Sequence, residues 1–270
     1  MLKARIITGL ILASLVLAGL FWLNTAGVAA LLAVVIAIGA FEWAGLCAVQ
    51  GARRVLYVLF ILGLCGLSVF LPVRAVLIPG VVWWVYAMWD LVVRADGRTG
   101  LWRHPGTELL IGVLVLVPAW RACVALKAWN PARPEWLFML LFLVWAADTV
   151  AYFVGRAFGR RRLAPKVSPG KTIEGAAGGL AGAALLVFAW TMAAGYSGGM
   201  AVRTAAFAAL VAAFSVAGDL VESKGKRLRG VKDSGRLLPG HGGMLDRIDA
   251  LTAAAPVFVL GIRWLVGDRS

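Results

Sequence analysis

The sequence predicts an all-α, polytopic integral membrane protein of about nine transmembrane helices. Three observations carry that reading. The 270 residues are 61% hydrophobic and only 15% charged, where a soluble domain is roughly 45–50% apolar and about 25% charged. Apolar runs of about 20 residues, the length that crosses a bilayer, recur along the whole chain. Lys and Arg collect in the gaps between those runs, on alternate sides.

In chain order, the predicted spans cover residues 6–22, 26–49, 55–72, 74–93, 107–126, 135–155, 173–194, 201–221 and 246–266. Only Asn24 and Thr25 mark the turn between the first two. Lys3 and Arg5 before an apolar run mimic a signal peptide, but the many later spans make the first a retained helix. Five segments (Lys3–Arg5, Arg53–Arg54, Arg94–Arg103, Arg156–Lys171 and Lys224–Arg247) hold 20 of the 27 Lys and Arg. With nine spans these segments fall on one side, which puts the N-terminus and the large loops in the cytoplasm and the C-terminus opposite. The seventh span carries Gly175, Gly178, Gly179, Gly182 and Ala183, a small-residue stripe suited to close helix packing, within the chain or between copies. The chain therefore reads as one helical membrane domain over 1–270, with N-terminal helices in 1–106 and catalytic helices in 107–270, and with cytoplasmic loops 156–172 and 222–246.

The same features exclude other classes. The formal charge of +14 lies between apolar spans, with no zinc finger, RNP pattern or basic helix beside it, so no nucleic-acid partner is expected. Cys47, Cys65 and Cys123 sit in apolar runs without a CxxC pair, which indicates buried packing. Glu42 and Asp90 lie near span ends, where partial exposure is the expectation.

The chemistry concentrates in the charged, glycine-rich island Ser223–Asp249 and its neighbours. A carboxylate within a span costs about 2.5–3.5 kcal/mol on insertion scales, so each one needs a reason. Asp148 lies in the sixth span and Asp219 near the end of the eighth, with Glu222 and Ser223 one turn on. Asp246 and Asp249 share a face of the ninth. Taken singly, Asp246 has a helix-cap alternative and Asp148 an ion pair with Arg156 or a lysine. Together they point to hard-cation ligation, with Asp219, Asp246, Asp148 and Asp249 as candidate metal ligands. Hard oxygen donors without clustered His or Cys indicate Mg²⁺, in one or two sites. Gly240, Gly242 and Gly243 open a helix entrance to close anion approach around His241. Lys224, Lys226, Arg227, Lys232 and Arg236 beside them form a polyphosphate cradle, or set topology and touch anionic lipid. In the sixth loop Lys166, Ser168, Lys171 and Thr172 are phosphate donors. Gly170-Lys171-Thr172 is not a Walker A end, because Pro165 stands where its first glycine belongs.

Read together, these residues resemble the CDP-diacylglycerol synthases, the phosphatidate cytidylyltransferase family. The resemblance runs through Ser223, Lys226, Arg227, Lys232, Asp233, Gly235, His241, Gly242, Gly243, Asp246, Arg247 and Asp249. Upstream it adds Asp148 with Tyr152-Phe153-x-Gly155-Arg156, and Ser168-Pro-x-Lys171-Thr172-x-Glu174-Gly175. Gly225 departs from it, standing where the family has a bulky apolar residue. The resemblance is specific over 145–250 and adds little to the first 100 residues.

What the resemblance implies is transfer of the cytidylyl group of CTP to phosphatidate in phospholipid biosynthesis, with Mg²⁺, in a homodimer in the cytoplasmic (inner) membrane. On this reading catalytic roles are assigned to Asp219, Asp246, Asp249, Lys226 and Lys232. Substrate contacts fall to Ser168, Lys171, Thr172, Ser223, Arg227, His241, Gly242 and Gly243. Two alternatives share parts of this equipment. A CTP-dependent lipid-alcohol kinase would move a γ-phosphoryl group onto a neutral hydroxyl. A transporter would use the intramembrane carboxylates for ion coupling, although no inverted repeat accompanies them.

Overall fold

The computed structural model describes residues 2–93, 104–132, 134–235, 237 and 242–266. Within them the apolar runs form nine helices: α1 (Leu2–Trp22), α2 (Thr25–Leu46), α3 (Ala52–Ser68), α4 (Val73–Val93), α5 (Pro105–Trp129), α6 (Glu135–Phe158), α7 (Ile173–Ala193), α8 (Gly198–Leu228) and α9 (Leu245–Val266). Seven of them (α2 and α4 to α9) are long and apolar enough to cross a membrane. At 17 residues α3 is shorter than that, and α1 contributes the shorter apolar helix Ala13–Trp22. Nine helices thus match the nine expected runs, while seven meet the requirement for a span.

Local chemistry sets the boundaries. The break between α1 and α2 rests on Asn24, whose Oδ1 accepts from Gly27 N at 2.8 Å and caps α2. Thr172 and Ser197 cap α7 and α8 in the same way. The loop between α6 and α7 is not wholly irregular. Arg162–Ala164 (β1) and Ser168–Thr172 (β2) pair as a short antiparallel hairpin, an addition to the all-helical expectation.

The helices pack in two connected groups. α6, α7, α8 and α9 succeed one another as neighbours, while α5 sits centrally against α2, α4 and α9. In α5, 78% of the apolar window is buried, against 17% in α7, so α5 is the core helix and α7 a peripheral one. The small stripe of α7 is spent on α6. A Cβ at Gly179 would lie 2.8 Å from the Ala147 carbonyl oxygen, and Gly178 and Gly182 face Val154 and Val150. That assigns the stripe to packing within the chain. All three cysteines are buried.

Two expectations about charge fail. Glu42 and Asp90 are buried rather than partly exposed, because each has polar partners on a distant element: Glu42 on the segment entering α9, and Asp90 on Lys224, 2.8 Å away in α8. The loop expected over 222–246 begins late, since α8 continues to Leu228. Buried ion pairs at Lys224 and Lys226 hold its last two turns inside the protein, and the helix passes unbroken through Gly225.

Candidate active site

The antiparallel succession of α6 to α9 brings the end of α6, the start of α7, the end of α8 and the start of α9 to one end of the bundle. Asp219, Glu222, Asp246 and Asp249 lie there, on the end of α8 and the start of α9. Gly218 lets α9 approach α8 until the Asp249 carbonyl oxygen would meet any Cβ at that position. This close crossing sets Asp219 and Asp249 side by side.

Two lysine–carboxylate pairs organise the site. Lys226 Nζ donates to Asp246 Oδ1 at 2.5 Å and lies 3.3 Å from Glu222 Oε1. These side chains are 9%, 6% and 4% exposed, so this pair is mostly buried. Lys171, delivered by β2, pairs with Asp219, and these are 28% and 31% exposed. One pair is therefore interior and the other opens outward, as a site that admits a ligand from one side requires. Ser223 Oγ donates to Asp219 Oδ1 at 3.3 Å. Asp148, midway along α6, faces Lys171, Asp219 and Arg247 electrostatically. It does not pair with Arg156, whose guanidinium donates to the Tyr152 hydroxyl. Asp249 faces Asp219, Glu222 and Lys226.

Asp246 is more than a helix cap. Its Oδ2 accepts from Gly243 N at 2.8 Å and from Ser234 N at 3.0 Å, while Oδ1 takes Lys226. Gly242 makes the turn possible with φ +79°, a conformation glycine adopts without strain.

Other predicted residues are placed differently. The Thr172 hydroxyl accepts from Gly175 N at 3.1 Å, as a cap. Arg227 donates to the carbonyls of Val167 and Val231, both at 3.3 Å, which ties the hairpin to α8. Ser168 begins β2, opposite Ala164. Lys232 is exposed on the loop. Lys224 leaves the expected cradle, because it is buried on the α4 side against Asp90. His241, Gly240 and Arg236 lie outside the described residues.

Sequence reasoning missed how far the helices before α6 reach into this region. Glu42 of α2 accepts from Ser234, Met244 and Leu245; Asp90 of α4 holds Lys224; Glu108 of α5 pairs with Arg229. The signal was present: the rule that an intramembrane carboxylate needs a reason applies to Glu42, Asp90 and Glu108 as it does to Asp148.

Among the described residues no three His, Cys, Asp or Glu side chains form a cation cage. The donor chemistry nevertheless suits a hard divalent cation. The donors are carboxylate oxygens throughout, with Asp219, Glu222 and Asp249 facing one another across α8 and α9. Mg²⁺ commonly takes one or two carboxylates and leaves its remaining positions to water and substrate phosphates, so paired carboxylates fit it better than a closed cage would.

A profile of the Cytidylyltransferase family matches residues 3–265. A phosphatidate cytidylyltransferase of Pseudomonas aeruginosa is 44% identical over 270 residues, covering 99% of this chain and 98% of its own. One of Haemophilus influenzae is 37% identical, covering 96% and 97%. One of Thermotoga maritima is 44% identical over 133 residues, covering 48% and 49%.

Proposed function

The chain belongs to the Cytidylyltransferase family, and on that premise we propose that it transfers the cytidylyl group of CTP to phosphatidate, giving CDP-diacylglycerol and pyrophosphate. The observation that carries the reading is the pairing of Lys171 with Asp219 and of Lys226 with Asp246 at one end of a multi-pass helical bundle. Cations and carboxylates are interleaved there, which suits two polyanionic substrates meeting at a membrane surface.

In the reaction a phosphatidate phosphate oxygen forms a bond to the α-phosphorus of CTP, and the bond from that phosphorus to the β-phosphate oxygen breaks. Pyrophosphate leaves with the electron pair. The attacking oxygen is already anionic, so no general base is required. The difficulty is bringing two anions together and stabilising charge on the leaving group, which is work for positioning and electrostatics. Lys171, half-open on β2, and Ser168 hold the phosphatidate headgroup. Lys226, Arg227 and Lys232 receive CTP phosphates, with the Gly242–Gly243 turn beside them. Ser223 orients Asp219. Mg²⁺, held by Asp219 and Asp246 with Asp249 and Asp148 nearby, would neutralise phosphate charge and polarise the α-phosphorus.

A lipid-alcohol kinase needs a group that takes a proton from a neutral hydroxyl. The anionic phosphatidate oxygen needs no such group, and the full-length relatives bear the cytidylyltransferase name. The enzyme works in the cytoplasmic (inner) membrane, with the N-terminus and the site facing the cytoplasm and the C-terminus opposite, and as a homodimer. α6 already occupies the small-residue stripe of α7, so the dimer surface lies elsewhere.

The test is pyrophosphate release by purified protein in detergent. Release should need CTP, phosphatidate and Mg²⁺ together. Release without phosphatidate, or none with all three, contradicts the reading.

A further inference from the structure

We propose that Glu42, on α2 and outside the segment 145–250 that carries the resemblance, is a positioning residue of the active site: it fixes the turn that presents Asp246. The inference rests on the cytidylyltransferase reading for its catalytic consequence and on geometry for the positioning itself. Glu42 is 4% exposed. Its Oε1 accepts from Met244 N at 3.0 Å, and its Oε2 accepts from Leu245 N at 2.8 Å and Ser234 Oγ at 3.0 Å. Ser234 in turn donates its backbone N–H to Asp246 Oδ2 at 3.0 Å. One residue therefore bridges two carboxylates, and Glu42 is joined to Asp246 through Ser234.

The arrangement answers a requirement of the helix. The N–H groups that open α9 have no partner within it, and they carry the positive end of its dipole. Asp246 takes Gly243 N from within the turn, and Glu42 takes the next two amides from another helix. A Cβ at Gly235 or Gly243 would collide with the Glu42 carboxylate, so the turn is moulded onto it. Only a carboxylate fits, because all its partners are donors. Gln would turn an NH₂ group toward one of them, and Asp would fall a methylene short.

The test compares wild type, Glu42→Gln, Glu42→Asp and Ser234→Ala as full chains in detergent, by amide hydrogen exchange and by steady-state kinetics. Glu42→Gln should speed exchange at Met244 and Leu245 by about tenfold or more, the scale set by a lost hydrogen bond to a charged group. Exchange in α5 and α6 should stay at the wild-type rate. The same variant should lower kcat by about tenfold with KM for CTP little changed, as expected for an interaction felt in the transition state. Glu42→Asp should recover part of both. Ser234→Ala, which removes only the hydroxyl bridge, should move both in the same direction by less, and it keeps the test decisive if Glu42→Gln does not fold. Wild-type exchange at Met244 and Leu245 in Glu42→Gln overturns the proposal, as does faster exchange with kcat unchanged. If wild-type protein transfers nothing from CTP to phosphatidate, the functional reading fails, while the exchange comparison still decides whether Glu42 holds the turn.

Discussion

Asp246 has three donors on two oxygens, and only one of them, Lys226, is a side chain. Asn at this position keeps the size and one acceptor, but loses the charge and sets an NH₂ group against a donor. Asp246→Asn should therefore leave membrane insertion at wild-type yield and lower turnover by more than tenfold, a barrier change above about 1.4 kcal/mol. A variant retaining over a tenth of the rate would remove Asp246 from the ligand set. The two lysines should separate. Lys226→Met leaves the Glu222 and Asp246 charges buried and unpaired, so it should lose about 3–5 kcal/mol of stability as well as activity. Lys171→Met, at a half-open pair, should lose activity while its melting temperature in detergent stays close to wild type. Equal melting losses in both would contradict the interior–exterior division of the site.

At the scale of elements, the α6–α7 contact offers a clean comparison. Gly179→Leu drives a side chain into the Ala147 carbonyl and the Ala151 methyl, and should destabilise by about 1–3 kcal/mol, read as a lower melting temperature. Gly63→Leu, on an exposed face of α3 with nothing within 4 Å, should melt like wild type. Most of the element pattern was legible in the sequence, because apolar length and charge placement are local properties. Even the weak α1–α2 break was marked by Asn24, whose type explains its capping. What escaped depended on partners far along the chain. Lys224 looked like one more cation of the loop, yet Asp90, 134 residues earlier, pulls it into the core and extends α8 by two turns. Glu42 sits 192 residues from Ser234, and no spacing rule links them. The site residues themselves were legible because most come from two short segments and a helix face. The hairpin that carries Lys171 was not, since strands of three and five residues leave too little alternation to read.

At the scale of the whole molecule, the N-terminal helices act as a brace. Two of them each send one buried carboxylate (Glu42 or Asp90) to the segments that build the site. A chain cut before α5 should for that reason lose activity even where α5 to α9 still insert. Orientation has its own test, because the three native cysteines are buried and silent to a membrane-impermeant thiol reagent. Val231→Cys, beside the site, should label only in inside-out vesicles, and Gly199→Cys, at the opposite end of α8, only in intact spheroplasts. The reverse pattern would invert the topology. The central claim is decided most directly by following label from CTP in the presence of phosphatidate and Mg²⁺. Label at the α-phosphate should pass into chloroform-extractable lipid, while label at the γ-phosphate should leave as pyrophosphate. Passage of the γ-label into lipid, or of neither label, would contradict the cytidylyltransferase account.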